Sequence, residues 1–199
     1  MIAVLTGDIK NSSEHNASTW LPLLKQALDT FGKEPAEWEI YRGDSFQLQT
    51  VPELALEAAI YIKACIKQIR RMDVRIAIGL GDKNHEATKI TESNGSAFIN
   101  SGQCFEQLKK QRLGIQTPNS SVNEQINLLL ELALLTMDSW TPAISKTVKY
   151  AMENPKLNQK ELAHLLNKSQ GNISEELKKA GFEEVKKMIQ FYRTQLEQL

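Results

Sequence analysis

Cysteine is scarce in this 199-residue chain, which contains only two, and this scarcity excludes several kinds of site. Cys65 and Cys104 are far apart in the sequence, so they form neither a disulfide framework nor the close-spaced pairs typical of zinc sites. The three histidines, His15, His85 and His164, are scattered too, without the spacing of a zinc site or a catalytic triad. A thiol or imidazole centre is therefore not expected.

Net charge and long apolar runs are also lacking. Lys plus Arg equal Asp plus Glu at 24 each, so no global field attracts the chain to nucleic acid or membrane. The most apolar stretch, Ile126–Met137, contains Glu131 and is shorter than the ~20 residues of a membrane span. Met1–Leu5 lacks the basic and apolar regions of a signal peptide. We expect a cytoplasmic globular protein without membrane partners.

The first part of the chain predicts an α+β fold, because strand-like and helix-like patterns alternate along it. In chain order these are strand Ile2–Asp8, helix Ala17–Phe31, strands Glu37–Tyr41 and Ser45–Thr50, a helix from Pro52 to about Arg71, and strand Val74–Leu80 closed by Gly79 and Gly81. Arg42-Gly43-Asp44 has the residue types of a hairpin turn. The order β-α-β-β-α-β predicts a ferredoxin-like antiparallel sheet with two helices on one face.

Three segments follow from the remaining pattern. Residues 1–120 form the sheet domain, completed by a helix over 97–112 and an edge strand over 113–117. Residues 121–153 form connecting or dimerisation helices, and residues 154–199 form a domain of short helices after Asn154-Pro155. From Trp140 onward there are 10 Lys plus Arg against 7 Asp plus Glu, so basic charge collects on the helical end.

The segment Asn158–Lys178 has the spacing of a helix-turn-helix. Asn158 with Glu161 three residues later is a capping-box pattern, and Asn167 tolerates the left-handed conformation that the turn requires. Ser169 is a suitable cap for the second helix, for which Ile173 supplies an apolar face. A helical hairpin used only for packing or dimerisation remains the alternative.

This segment resembles the helix-turn-helix domains of bacterial regulators, whose second helix enters the major groove. The resemblance implies that Ser169, Gln170, Asn172, Ser174 and Lys178 contact DNA. Gln and Asn side chains each pair bidentately with adenine, so base readout is chemically feasible. Two residues depart from the family pattern. Lys168 replaces a buried aliphatic residue, and Glu175 stands where a cation often meets phosphate.

Two Gly-Asp pairs, Gly7-Asp8 and Gly43-Asp44, end the first strand and the hairpin. In a split βαβ sheet the first strand lies beside the hairpin, so Asp8 and Asp44 are expected close together. Paired carboxylates repel unless a divalent cation joins them, and Mg²⁺ with substrate phosphates is the common form. The sequence therefore predicts a metal site at Asp8 and Asp44.

Thr6-Gly7-Asp8-Ile9, Arg42-Gly43-Asp44-Ser45-Phe46 and Val74–Gly81 resemble, in this order, the palm domain of class III nucleotidyl cyclases and GGDEF proteins. The resemblance implies a nucleotide held with Mg²⁺. The ligand-binding residues that we predict on this basis are Gly7, Asp8, Asn11, Gly43, Asp44 and Ser45. The cyclase catalytic Asn and Arg positions are occupied by Ile99 and Gln103, so cyclase activity is not expected.

The combination of a palm-like domain, the segment Gly95–Phe98 and the terminal helix pair resembles the SatD family of bacterial proteins over nearly the whole chain. Members of that family are described as regulators without an established reaction. We therefore expect a homodimeric DNA-binding transcriptional regulator whose inactive palm-like domain senses a phosphate-bearing ligand or mediates dimerisation. Two alternatives stay open: a Mg²⁺-dependent enzyme acting on a nucleotide, and a protein-interaction module.

Overall fold

The computed structural model describes residues 1–199 as an α+β protein with a five-stranded mixed sheet and eight α-helices. The strands are β1 (Ile2–Lys10), β2 (Trp38–Tyr41), β3 (Ser45–Thr50), β4 (Asp73–Gly81) and β5 (Leu113–Gln116). The helices are α1 (Ala17–Asp29), α2 (Pro52–Ile66), α3 (Ser96–Gln107), α4 (Ser120–Met137), α5 (Pro142–Glu153), α6 (Gln159–Leu166), α7 (Gln170–Lys179) and α8 (Phe182–Gln195).

The sheet has the order β2-β3-β1-β4-β5, with β1 in the centre. β1 pairs antiparallel with β3 and β4, and β2 and β3 form the predicted hairpin around Arg42-Gly43-Asp44. The predicted antiparallel pairing is confirmed for these four strands, and β5, predicted as an edge strand without a direction, pairs parallel with β4 and makes the sheet mixed. The reason is the connection through α3, since parallel neighbours need a crossover and not a tight turn.

One face of the sheet packs against α1 and α2. Alternate side chains of the strands, including Leu5 and Ile78, join the two helices in the main apolar core. Helix α2 starts with Pro52 in its first turn, where the missing N–H costs nothing. It ends at Ile66, five residues before the predicted end, and the chain then reaches Arg71, whose φ of 66° lies in the left-handed region that a helix interior excludes.

Helix α3 covers part of the opposite face, over β4 and β1. Gly79 and Gly81 allow this close approach, because a Cβ on Gly79 would lie 2.2 Å from the Ser101 backbone nitrogen and one on Gly81 would lie 2.6 Å from the Ala97 nitrogen. The predicted closing of the strand is confirmed at Gly81, where β4 ends, whereas Gly79 lies inside the strand. β4 continues to Gly81, and the glycines mark a helix packed directly on the strand.

Helix α4 protects the free edge of β5. The Asn127 amide accepts a hydrogen bond from the Ile115 N–H and donates one to the Ile115 carbonyl, both at 2.9 Å. One turn earlier, Asn123 makes the same pair of bonds with Thr117. These amides satisfy edge groups that otherwise invite pairing with another strand.

The helices of the second part share one core with the sheet. A single apolar cluster extends from Ala3 in β1 to Tyr192 in α8. The Tyr192 hydroxyl donates a buried hydrogen bond of 2.7 Å to the Pro52 carbonyl, which joins α8 to the start of α2. The limits predicted near residues 120 and 153 therefore do not coincide with a break in the core. None of the helices has the length and apolar character needed to span a membrane.

Candidate functional site

A row of polar side chains crosses the sheet near the carboxyl end of β1. Tyr41, Ser45, Asp8 and Arg75 are direct neighbours in register on β2, β3, β1 and β4, so their side chains share one face. Burial raises the pKa of the Tyr41 phenol, Arg42 lowers it, and the Asp8 charge raises it further. Asp8 and Ser45 were predicted as site residues, whereas Tyr41 and Arg75 were not.

Asp8 forms a bidentate ion pair with Arg75. The Arg75 Nε donates to Oδ1 at 3.1 Å and Nη2 donates to Oδ2 at 2.6 Å, with both side chains about four-fifths buried. The guanidinium also stacks over the Phe105 ring of α3, 4.5 Å from its centroid. Both carboxylate oxygens of Asp8 are therefore already engaged, by a cation that belongs to the protein.

Asp44 lies in the hairpin turn and binds a different partner. Its Oδ2 accepts a hydrogen bond of 2.5 Å from the Ser12 hydroxyl, which ties the hairpin to the loop after β1. Its carbonyl accepts from the Ile9 N–H at 3.1 Å, so the turn lies beside the end of β1 as predicted. Gly43 has a φ of 92° and an open surrounding, which the tight turn requires.

The other two predicted ligand residues serve the fold. Gly7 lies against the aromatic ring of Phe46, 2.4 Å from where a Cβ would stand, so its lack of a side chain is a packing requirement. The side-chain amide of Asn11 donates to the Arg71 carbonyl at 2.7 Å, and its backbone is left-handed with a φ of 62°. Each position has a structural explanation that needs no ligand.

Both predicted metal ligands have partners within the protein in this arrangement. No group of three or more His, Cys, Asp or Glu side chains is positioned to hold a metal ion. A cation at Asp8 would have to displace Arg75, whose positive charge already balances the carboxylate. The predicted Mg²⁺ site at Asp8 and Asp44 is therefore not supported by the contacts of these residues.

The cyclase-like positions on α3 do not supply a catalytic cation. Ile99 is 59% exposed, and Gln103 is hydrogen-bonded through its Oε1 to Gln116 of β5 at 2.9 Å. Asn100 donates to the Leu80 carbonyl at 2.7 Å. The polar groups of this helix therefore fix it to the sheet.

Helices α6 and α7 form a compact pair at the other end of the chain. The predicted capping box is present, since Asn158 accepts from the Glu161 N–H at 3.1 Å and Glu161 accepts from the Asn158 N–H at 2.8 Å. Asn167 ends α6 with a φ of 51°, and the Ser169 hydroxyl caps α7 by accepting from the Asn172 N–H at 3.1 Å. Ile173 and Ala180 anchor α7 in the core.

The five residues predicted to contact DNA all lie on the surface of this pair. These residues, each exposed, are Ser169, Gln170, Asn172, Ser174 and Lys178. Glu175 stands where a cation was expected for a phosphate contact, and it forms an ion pair with Lys179 one turn later at 2.6 Å. A hydrogen bond and the charge of Lys179 lower the pKa of the Glu175 carboxyl. The exposed side of α7 is therefore polar and close to neutral.

Lys168, which stands where the helix-turn-helix pattern has an aliphatic residue, forms hydrogen bonds instead of apolar contacts. Its ammonium group donates to both oxygens of Glu176, at 2.6 and 2.9 Å, and to the Thr147 hydroxyl at 3.1 Å. The Thr147 hydroxyl, on α5, is itself within 2.5 Å of Glu176. A polar network thus fixes α7 to α5.

No model of a known protein family matches this chain, and no curated protein matches it in sequence.

Proposed function

We propose that this protein is a DNA-binding transcriptional regulator, with α6 and α7 as its helix-turn-helix and α7 as the helix that enters the major groove. The observation that carries the proposal is the exposed polar side of α7. The opposite side of the same helix is held by the buried Ile173 and by the network of Lys168, Glu176 and Thr147. Gln170 and Asn172 are unpaired amides at the start of that helix, where recognition helices contact base edges. Surface amides with no packing role are available for bidentate bonds to adenine.

The charge around α7 favours binding that depends on sequence rather than on charge alone. Glu175 and Glu176 are neutralised by Lys179 and Lys168, so neither repels the DNA backbone with a free carboxylate. Lys178 is left as a cation on the exposed side for a phosphate contact. Non-specific affinity grows with the number of phosphates neutralised, so a single copy with few free cations binds weakly.

The sheet domain acts, in this proposal, as a ferredoxin-like palm that has lost catalysis and serves as a ligand-sensing or dimerisation platform. The order of its first four strands and their antiparallel pairing support that assignment. The Asp8–Arg75 pair and the absence of a cation at Gln103 argue against a metal-dependent reaction at this site. The resemblance to the SatD family stays part of this proposal.

A homodimer completes the proposal, because two weak recognition helices together bind with the affinity that one lacks. Helix α4 offers a surface for it. Leu128, Leu132 and Leu135 are 57%, 56% and 78% exposed at spacings of four and three residues, which is the pattern of a helix that packs on a copy of itself. A two-fold axis beside α4 would use the same stripe from each copy.

Selection of bound duplexes from a random DNA pool tests the proposal, since it requires no assumption about the target sequence. We expect enrichment of a two-part sequence, since a dimer presents two copies of α7. The chain with Gln170→Ala and Asn172→Ala combined is the matched variant, and it should yield no enrichment. Failure of the unmodified chain to enrich any sequence at low salt would contradict the proposed function.

A further inference from the structure

A basic pocket opens beside the polar row, at the end of the sheet where α2 finishes. Its volume is about 220 Å³. Four cationic side chains line it, from four different parts of the chain: Lys10 ends β1, Lys67 follows α2, Arg71 precedes β4, and Arg112 precedes β5. Only one carboxylate, Asp73, is among the lining residues.

The cations of this pocket are not balanced by that carboxylate. Asp73 is already held by the fully buried Lys63, whose ammonium donates to its two oxygens at 2.8 and 3.1 Å and also to the Asp138 carboxylate at 2.7 Å. Lys67 approaches Asp73 at 3.4 Å and Arg112 only at 3.9 Å, so both share an occupied partner. Neither Lys10 nor Arg71 forms an ion pair with any carboxylate. Among the side chains that line the pocket, four positive charges thus stand against one negative charge, and Asp138 lies outside the lining, paired with Lys63.

This excess has an energetic consequence for the pocket. Burial lowers the pKa of Lys67, and the positive charge of nearby Lys63 lowers it further, against the opposing effect of Asp73. Bringing like charges together in a partly buried space is unfavourable unless an anion joins them. The fold nevertheless directs side chains from four segments to one place.

We propose that this pocket binds the phosphoryl group of a small-molecule ligand. The pocket is smaller than the roughly 300 Å³ at which sites for whole drug-sized ligands begin, so it suits a phosphate or diphosphate group rather than an entire nucleotide. Lys10 lies two residues beyond Asp8 on the same strand, about 7 Å further along it. A ligand with its phosphates in the pocket can therefore reach the Tyr41–Arg75 row with its remaining part.

The position of the pocket also connects it to α7. Trp140 lines the pocket, and its indole Nε1 donates to the Ala180 carbonyl at the end of α7 at 3.0 Å. Two residues earlier, the Asp138 carbonyl accepts from the Lys67 ammonium at 2.9 Å. An anion that draws Lys67 away therefore acts on the turn that holds the end of α7. This regulatory meaning rests on the proposed function, whereas the anion site itself does not.

Calorimetric titration with sodium pyrophosphate, and separately with inorganic phosphate, tests the site on the full chain at low salt. We expect binding of one pyrophosphate per chain, and at least a roughly 10-fold loss of affinity in Arg71→Gln, since a hydrogen bond to a charged group contributes about 1.5–3 kcal/mol. Arg70→Gln is the matched control, because Arg70 lies outside the pocket. It should bind as the unmodified chain does.

Three outcomes would overturn the assignment. The first is no binding of either anion by a chain whose unfolding midpoint is normal. The second is an equal loss in Arg70→Gln and Arg71→Gln, which would indicate diffuse attraction to the surface. The third is displacement of pyrophosphate by duplex DNA, with the same dependence on Arg71, which would assign the pocket to the DNA backbone.

Bound pyrophosphate should also change tryptophan emission, and this change should vanish in Trp140→Phe. A chain that binds pyrophosphate but enriches no DNA sequence would refute the proposed function and leave the anion site standing.

Discussion

The Lys168–Glu176–Thr147 network allows the packing of α7 to be tested by a single substitution. Lys168→Met removes the ammonium group and leaves the Glu176 carboxylate with only the Thr147 hydroxyl as a partner. Breaking a fully buried ion pair from one side costs about 3–5 kcal/mol. Because the two side chains are 21% and 19% exposed, solvent screens part of this cost, and we expect a loss of about 2 kcal/mol.

The double variant Lys168→Met with Glu176→Met gives the opposite expectation. Replacing a buried ion pair by apolar side chains of similar volume is often neutral or stabilising, since no charge has to leave water. The double variant should therefore recover at least half of the stability lost in Lys168→Met. Such non-additivity is what distinguishes a direct pair from two independent effects.

Urea unfolding followed by circular dichroism measures both variants. A loss of about 2 kcal/mol moves the midpoint down by about 1 M urea at a slope of about 2 kcal/mol/M. Lys179→Met is the matched control, because it breaks the exposed Lys179–Glu175 pair on the same helix and should leave the midpoint unchanged. Equal midpoints for Lys168→Met and Lys179→Met, or no recovery in the double variant, would refute the reasoning.

Three further expectations follow from burial and packing. Burial raises the pKa of Cys65 and Cys104 to about 12, so at pH 8 a thiol reagent should label them only as fast as the chain unfolds. Rapid labelling of the native chain would contradict their burial. The free energy of folding that these protonated thiols contribute is complete below pH 9 and is lost as the pH rises towards 12. Leu132→Glu should convert the proposed dimer to a monomer by light scattering, and an unchanged mass would exclude α4 from the interface. Gly79→Ala should destabilise the fold by about 3 kcal/mol or more, because α3 must move to make room for the methyl group. Gly102→Ala, in open space on α3, should stabilise the fold by about 0.5–1 kcal/mol. Similar urea unfolding midpoints for the two variants would contradict the close packing of α3 on β4.

Several elements could be predicted because local patterns determine them. The hairpin around Gly43, the start of α2 at Pro52 and the cap at Asn158 each depend on residues close in sequence. The edge strand β5 was predicted, but its parallel direction was not, for the opposite reason. Whether β5 lies parallel or antiparallel depends on whether the chain crosses back along the sheet before it pairs with β4, which no local pattern records.

The site was harder to predict than the fold. Asp8 was identified from its motif, but its partner Arg75 is 67 residues away and is its neighbour only through the register of β1 and β4. That register decides whether the carboxylate is available for a metal or is occupied by a guanidinium. The basic pocket brings together side chains from four segments, so charge counts along the sequence did not reveal it.

The central claim is that α7 reads DNA bases, and fluorescence anisotropy on the duplex selected from the random pool tests it most directly. Gln170→Ala and Asn172→Ala are each compared with Gln190→Ala, which removes the same type of exposed amide from α8. Each lost bidentate contact should weaken binding by about 5- to 150-fold, since such a contact contributes about 1–3 kcal/mol of discrimination. Gln190→Ala should bind as the unmodified chain does. Equal affinity for all four proteins would contradict the account.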